Sequence, residues 1–180
     1  MKAPLDELND EIVVSKIENT NLQSSNQEKF IFLTRTKIMK YLPIVREMYP
    51  FIKTKKRFKT IVENLFKNED NIFVGLEVND EPVGFCDFSI YYQLWDERMC
   101  YVNHLLVNRN CRGGGYGTKL LDFISQYAES MNCEGIELRS ELFRKQAHKF
   151  YYKRGFHIDC FNFRKNLKTV RKQNKVDTAV

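Results

Sequence analysis

The sequence lacks a long apolar run and an apolar leader. No stretch of the 180 residues approaches the roughly 18 consecutive apolar residues that a membrane-spanning helix needs. The first residues, MKAPLDELNDEIVV, are acidic and contain no apolar signal core. We therefore expect a protein without a membrane partner, located in the cytoplasm.

The sequence also lacks a cysteine pattern typical of a metal site or a disulfide scaffold. Its 5 cysteines are an odd number and include no C-x-x-C pair. This spacing favours reduced thiols over disulfides or zinc ligands, and we predict no bound metal. The thiols belong to Cys86, Cys100, Cys111, Cys133 and Cys160.

The composition is that of one folded domain. Apolar residues make up 43% of the chain and charged residues 29%, and 14 Phe and 9 Tyr provide bulk for a core. The formal net charge of +6 comes largely from residues 53–59 and from the acid-free run 164–175. Such clusters attract nucleic acid, a membrane surface or an anionic ligand, but most charge runs are solvated faces. We do not expect a nucleic-acid partner.

Periodicity divides the chain into an arm, one α/β domain and a tail. Residues 1–28 have neither helical nor strand periodicity, residues 29–168 alternate between the two, and we expect residues 169–180 to be a basic, disordered tail. We predict strands over 30–34, 71–78, 83–92, 99–107, 135–139, 156–158 and 161–167, and helices from 37 to before Pro50 and over 58–66, 117–131 and 144–153.

A glycine-rich loop joins the predicted strand 99–107 to the next helix. It reads Arg112-Gly113-Gly114-Gly115-Tyr116-Gly117-Thr118. Glycine there lets backbone N–H groups at a helix N-terminus approach an anion, and Arg112 adds a positive charge. Neither the Gly-Lys-Ser/Thr of a Walker loop nor G-x-G-x-x-G is present. The loop is therefore either a phosphate-binding loop of another type or a flexible turn.

Two motifs resemble those of the GNAT acetyltransferases. Leu105-Leu106-Val107 followed by Arg112-x-x-Gly115-x-Gly117 is similar to the acetyl-CoA loop of that family. Ala147, followed by Phe150-Tyr151 and then Gly155-Phe156, is similar to its second signature. The resemblance covers about residues 31–167 and looks most like the branch that acetylates aminoalkylphosphonates. It implies an α/β (α+β) fold: a mixed, mostly antiparallel sheet of six to seven strands with a splayed central pair, flanked by about four helices.

The resemblance also implies acetyl-CoA as the co-substrate. The amides of residues 112–118 would hold its pyrophosphate, next to Leu105 and Leu106, and the Val107 N–H would hold the acetyl carbonyl. Ala147 and Tyr151 would lie along the same ligand. Many family members bind the pantetheine arm with an Asn where this sequence has Arg144. Arg144 would reach a phosphate or an acidic acceptor, or more often for such a residue lie in solvent, and Ser140 would supply the missing polar contact.

Tyr151 and His104 are the candidate catalytic residues. The resemblance places the Tyr151 hydroxyl near the coenzyme sulfur as a general acid, and the alternative is an aromatic residue on the inner face of a helix. A neutral His104 imidazole would accept a proton near pH 7, directly or through water. Related enzymes often have Glu there, so a structural histidine is an equal alternative. Asp87 and Glu97 are fallback carboxylates.

Aromatic residues after the predicted strand 83–92 are candidates for the acceptor site. Tyr91 and Trp95 would shape an amine pocket, in part by cation–π contact, together with Asp87. They are equally consistent with a homodimer surface. We predict transfer of an acetyl group to the primary amine of a small molecule. A protein or peptide acceptor and a non-catalytic CoA-binding module are the alternatives.

Overall fold

A computed structural model of the chain describes residues 27–94 and 97–167. The predicted arm, apart from residues 27 and 28, lies outside these ranges, as do the predicted tail and Trp95. The limits of the predicted domain therefore stay a prediction. Among the helices within the described ranges, none combines the length and the apolar character needed to cross a membrane.

In residues 27–94 and 97–167, five strands form one mixed sheet in the order of the chain. Strands β1 to β4 pair antiparallel with their neighbours, and β5 pairs parallel with β4. The antiparallel pairing follows from short links between the strands. For example, Asn79 and Asp80, with φ of 52° and 65°, form the turn that connects β2 to β3. The strands are β1 Glu28–Phe32, β2 Asn71–Val78, β3 Glu81–Tyr92, β4 Arg98–Val107 and β5 Gly135–Leu138.

Within the described residues the sheet has five strands, where six to seven were predicted. Residues 156–158 and 161–167 form no strand, and the side chains of Ile158, Phe161 and Phe163 are exposed. Alternating apolar residues indicate what a strand would bury, but a strand also needs an edge with which to hydrogen-bond. Within the described ranges this segment pairs with no edge, including that of β5, so β5 is an edge strand of the sheet and not part of a central pair.

In the part of the chain that the structure describes, four α-helices cover the two faces of the sheet, as predicted. Helices α3 and α4 pack on one face, where the buried core includes Phe88, Leu120 and Ile124. Helices α1 and α2 pack on the other, around Ile38, Phe58 and Phe85. The helices are α1 Leu42–Met48, α2 Lys55–Leu65, α3 Tyr116–Ser130 and α4 Lys145–Lys153.

The helix predicted from residue 37 is divided in two. A 3-10 turn, Lys37–Tyr41, precedes α1, and Pro43 lies in the first turn of α1. Proline has no N–H group to donate to the preceding turn but fits the first turn of a new helix. The boundary at Leu42 therefore follows from the position of Pro43.

Tyr41 anchors this divided helix to the sheet. Its hydroxyl donates to Glu77 of β2 at 3.0 Å, and Lys40 donates to the same carboxylate at 3.1 Å. Tyr41 and Glu77 are both buried. The Tyr41 ring lies against Gly75, where an added Cβ would be 2.0 Å from the Tyr41 Oη. The missing side chain at Gly75 therefore lets the start of α1 approach the sheet closely.

We expect Gly75→Ala to lower the free energy of unfolding by about 1–3 kcal/mol, the usual cost of overpacking a filled core. The added methyl group would overlap the Tyr41 ring. Urea denaturation measures this quantity. Lys59→Ala, at an exposed position of α2, is the control and should stay within about 0.5 kcal/mol of wild type. An unchanged stability for Gly75→Ala would contradict the close approach of Tyr41.

Candidate active site

A β-bulge in β4 sets the geometry of the site. Asp87 of β3 lies opposite His104, but the next residue, Phe88, lies opposite Val102. Asn103 is therefore an extra residue without a partner on β3. Strict alternation would place His104 on the same face of the sheet as Val102. The bulge turns His104 to the other face, towards α1.

Residues 105–107, which follow the bulge, are buried in the core. Leu105 and Val107 pack in the same buried cluster as Val102, and Leu106 packs on the opposite face with α1 and α2. These side chains are at most 7% exposed. The bulge therefore reverses the alternation once and leaves the end of β4 firmly packed on both faces.

A cavity lies where β4 leaves β5. The two strands pair only from Met99 and Gly135 to Val102 and Leu138, and β4 then continues to Val107. Within the described ranges no strand pairs with this side of β4 from 103 to 107. The gap forms a cavity of about 170 Å³, lined by residues 101–106 of β4, by Met48 and Tyr49, by Leu138, Arg139, Glu141 and Arg144, and by Tyr151.

The backbone at the end of β4 faces this gap. Asn108 donates its N–H to the Val83 carbonyl of β3 at 2.9 Å. Neighbouring N–H groups of a strand point to opposite edges, so the Val107 N–H points away from β3 and into the gap. This is the direction that a donor to a bound carbonyl group needs.

Three side chains from three elements form a hydrogen-bonded chain at the cavity. The Nδ1 atom of His104 lies 2.6 Å from Oδ1 of Asp87, and its Nε2 atom lies 2.8 Å from the Tyr49 hydroxyl. A buried carboxylate only accepts hydrogen bonds, which assigns the proton of a neutral ring to Nδ1. Nε2 then accepts from the Tyr49 hydroxyl. No motif in the sequence indicates Tyr49, which follows α1 as an ordinary aromatic residue of a helical pattern.

Two residues predicted near the acceptor take other positions. Asp87 is 2% exposed and lies behind His104, outside the cavity lining, so it serves His104 and is not an independent base. Tyr91 lies opposite Met99, near the other end of β4, and donates to Glu137 at 2.7 Å. The structure does not bring Tyr91 to the cavity, and Trp95 lies outside the described residues.

Tyr151 contributes a protonated hydroxyl to the cavity wall. It is 9% exposed, and burial raises the pKa of its hydroxyl while the charge of Arg144 opposes the rise. Among the described residues no side chain or backbone group hydrogen-bonds to this hydroxyl. Ala147, one turn earlier in α4, is buried on the same side and lets the helix pack closely. Tyr151 is therefore both a core residue and a cavity residue.

The expectation that Arg144 lies in solvent is wrong. Arg144 immediately precedes α4, is 8% exposed and lines the cavity. Its charge therefore acts on the cavity. Ser140, nearby in the chain, has a buried Oγ without a hydrogen-bond partner in the described part of the structure. A buried hydroxyl in this state is costly, and a polar group of a ligand would satisfy it.

The glycine-rich loop presents backbone donors at the start of α3. Gly115 caps the helix in the left-handed conformation with φ of 82°, and no side chain caps it. The N–H groups of the first turn, which includes Tyr116, Gly117 and Thr118, have no partner within an α-helix. An added Cβ at Gly113 or Gly115 would meet nothing within 4 Å. This open helix N-terminus is suited to an anionic group.

Arg112 fixes the glycine-rich loop in place. Its guanidinium donates to Glu47 at 2.8 Å and to the Val107 carbonyl at 3.2 Å. Glu47, on α1, also accepts the Arg109 N–H at 3.0 Å. One carboxylate thus holds two points of the loop. Sequence reasoning missed Glu47, because a polar residue on a helix usually indicates only a solvated face.

Comparison with known proteins finds a family model and several relatives that the chain resembles. The sequence model described as the Acetyltransferase (GNAT) family matches residues 38–156. A relative named Uncharacterized N-acetyltransferase YhdJ, from Bacillus subtilis, is 29% identical over 126 residues, which make up 66% of this chain and 89% of the relative.

Two solved structures share the fold. Ribosomal-protein-alanine N-acetyltransferase from Brucella melitensis superposes with a TM-score of 0.67 at 18% identity, covering 78% of this chain and 100% of its own. Aminoglycoside N-acetyltransferase AAC(6')-Iy, solved in complex with CoA, gives a TM-score of 0.68 at 12% identity, covering 82% of this chain and 100% of its own. At these identities the likeness concerns the fold alone.

The contacts of Glu47 predict a local effect of its removal. In Glu47→Ala the Arg109 amide loses its acceptor and Arg112 loses its carboxylate, so amides at 109–115 should exchange with solvent about 10-fold faster or more. Hydrogen exchange followed by mass spectrometry measures the rate. Glu63→Ala, at an exposed position on α2, is the matched control. Unchanged exchange at 109–115 in Glu47→Ala would show that Glu47 does not hold the loop.

Proposed function

The chain belongs to the GNAT acetyltransferase family, and from that premise we propose that it transfers an acetyl group from acetyl-CoA to the primary amine of a small molecule by direct attack. One observation carries the proposal. Where β4 leaves β5, the same gap is faced by the Val107 N–H and by the hydroxyl of Tyr151, with the open N-terminus of α3 beyond the end of β4. The Val107 N–H can donate to a carbonyl group, the Tyr151 hydroxyl to a thiolate, and the N-terminus of α3 to a phosphate.

The residues present fit coenzyme A. The open left-handed glycines Gly113 and Gly115 and the first-turn amides of α3 are suited to a pyrophosphate. Ser140 offers a buried hydroxyl that lacks a protein partner within the described ranges, and Arg144 offers a positive charge at the cavity. Bound acetyl-CoA would supply the activated acetyl group as a thioester.

Three groups at the cavity would donate hydrogen bonds or transfer protons during the reaction. Val107 would donate its N–H to the carbonyl oxygen as negative charge develops there. Tyr151 would give its proton to the departing sulfur. Because burial raises the pKa of Tyr151 above its ordinary value of about 10, this proton is retained throughout the neutral range and lost only at higher pH. His104 would receive the proton that the amine loses.

A small acceptor is compatible with the size of the cavity. Its volume of about 170 Å³ suits the reacting end of a compact amine. A peptide acceptor is the second candidate, since proteins of this fold include one named for ribosomal-protein alanine as well as one named for aminoglycosides. The aminoalkylphosphonate branch, predicted from the second motif, finds no support in the names of the relatives, so the proposal does not depend on it.

Release of free CoA thiol tests the proposed function. Wild-type protein should release thiol from acetyl-CoA with at least one amine of a panel of aminophosphonates, polyamines, aminoglycosides and lysine peptides. Tyr151→Phe should lower kcat by about 10²-fold, the lower end of what a general acid contributes. Tyr152→Phe is the matched control, because Tyr152 is 53% exposed on the same helix and should keep wild-type kcat.

Each outcome separates the candidates. Turnover of small amines alone supports the proposal, and turnover of peptides alone supports the second candidate. CoA binding without turnover on the whole panel would indicate a binding module. An equal effect of Tyr151→Phe and Tyr152→Phe would remove the general-acid role of Tyr151.

A further inference from the structure

His104 does not present its lone pair directly to an amine in the cavity. Both ring nitrogens of His104 are engaged, Nδ1 with Asp87 at 2.6 Å and Nε2 with the Tyr49 hydroxyl at 2.8 Å. The lone pair of a neutral ring lies on Nε2 and is directed at Tyr49. An amine in the cavity therefore reaches that lone pair through the Tyr49 hydroxyl.

We propose that Tyr49 is the catalytic residue that takes the proton from the acceptor amine, and that it passes its own proton to Nε2 of His104 in the same step. This inference rests on the proposed function. As the nitrogen–carbon bond forms, the N–H bond breaks towards the Tyr49 oxygen, and the O–H bond of Tyr49 breaks towards Nε2. The carbon–sulfur bond then breaks, and the sulfur takes the proton of Tyr151. His104 afterwards releases its extra proton to solvent, and the Tyr151 oxygen takes a proton from solvent, which restores both residues.

Asp87 acts as a positioning residue in this chain. Its carboxylate, 2% exposed and hydrogen-bonded to Nδ1, holds the tautomer in which Nε2 is the acceptor, and its charge stabilises the imidazolium formed by proton transfer. A buried carboxylate is costly unless it is paired, and His104 is the partner that β4 places opposite Asp87. The bulge at Asn103 makes this pairing possible.

Tyr49 is held in one orientation. Its ring meets the His104 ring edge-on, with centroids 5.5 Å apart and an angle of 84°, and it packs against Phe51 at 5.8 Å. Tyr49 also lines the cavity. The phenol therefore bridges His104 and the space that the acceptor would occupy.

The charges around Tyr49 favour a phenol that relays a proton over one that stays ionised. Burial raises the pKa of Tyr49, and so do Asp87 and Glu141, whereas Arg144 and Arg139 lower it. Because the net direction is upward, Tyr49 keeps its proton at neutral pH and must pass it on as it accepts another. The other titratable side chains that line the cavity are His104, Tyr101 and Tyr151.

The substitution Tyr49→Phe removes the relay and keeps the ring. We expect kcat at pH 7.5 to fall by about 10²-fold or more, with the KM for acetyl-CoA within about twofold of wild type. Tyr152→Phe, exposed on α4, again serves as the control and should keep wild-type kcat. Urea denaturation of each variant verifies that the fold is intact.

The pH dependence separates this role from a structural one. In wild type the acid limb of kcat/KM should report protonation of His104, and in Tyr49→Phe that limb should disappear, because the imidazole no longer reaches the amine. In Asp87→Asn the limb should move to lower pH, since the imidazolium loses a stabilising charge. A purely structural role would lower the rate without moving the limb. If Asp87→Asn does not fold, the Tyr49→Phe profile alone decides.

The results also separate the relay from the proposed function. Wild-type turnover together with loss of rate and of the acid limb in Tyr49→Phe supports both. Wild-type turnover with an unchanged rate and limb in Tyr49→Phe overturns the relay and leaves the acetyltransferase proposal standing. Absence of turnover in wild type on every amine of the panel overturns both.

Discussion

The site depends on a single extra residue in β4. Asn103 has no partner on β3, and this bulge reverses the alternation of side chains along the strand. His104 thereby faces α1 and Asp87, while Leu105 and Val107 stay in the core cluster of Val102. The bulge also coincides with the point where β4 and β5 stop pairing. The bulge therefore sets the position of the histidine at the same point where the end of pairing leaves the backbone N–H and the cavity.

The end of α1 joins the two halves of the site. Glu47 holds the glycine-rich loop through Arg112 and the Arg109 amide, and Tyr49, two residues later, completes the chain to His104. The segment is fixed to the sheet by Tyr41, whose hydroxyl reaches Glu77 over the bare backbone of Gly75. A small shift of α1 would thus loosen the loop and break the hydrogen-bonded chain together. This coupling makes close packing at Gly75 relevant to function as well as to stability.

Much of the fold and part of the site could be predicted from the sequence. Strong periodicity gave β2, β3, β4 and the helices α3 and α4 within one or two residues, and the glycine-rich loop lies at the predicted helix start. Contacts between distant segments could not be predicted. Arg144 is buried because the chain passes between β5 and α4 beside the cavity, and neither Glu47 nor Tyr49 belongs to any motif. The strands predicted over 156–158 and 161–167 are absent from the described structure for the same reason. The pattern shows apolar residues but does not show whether they pair with another strand.

In the proposed reaction, the gap between β4 and β5 holds the thioester of acetyl-CoA. A crystal structure of the protein with acetyl-CoA, or with a non-reactive thioether analogue that keeps the carbonyl group, tests it most directly through the distance from that carbonyl oxygen to the Val107 nitrogen. We expect this distance to be about 2.7–3.1 Å, with the pyrophosphate at the N-terminus of α3. A carbonyl oxygen bound away from β4, or a pyrophosphate that does not contact the glycine-rich loop, would contradict it.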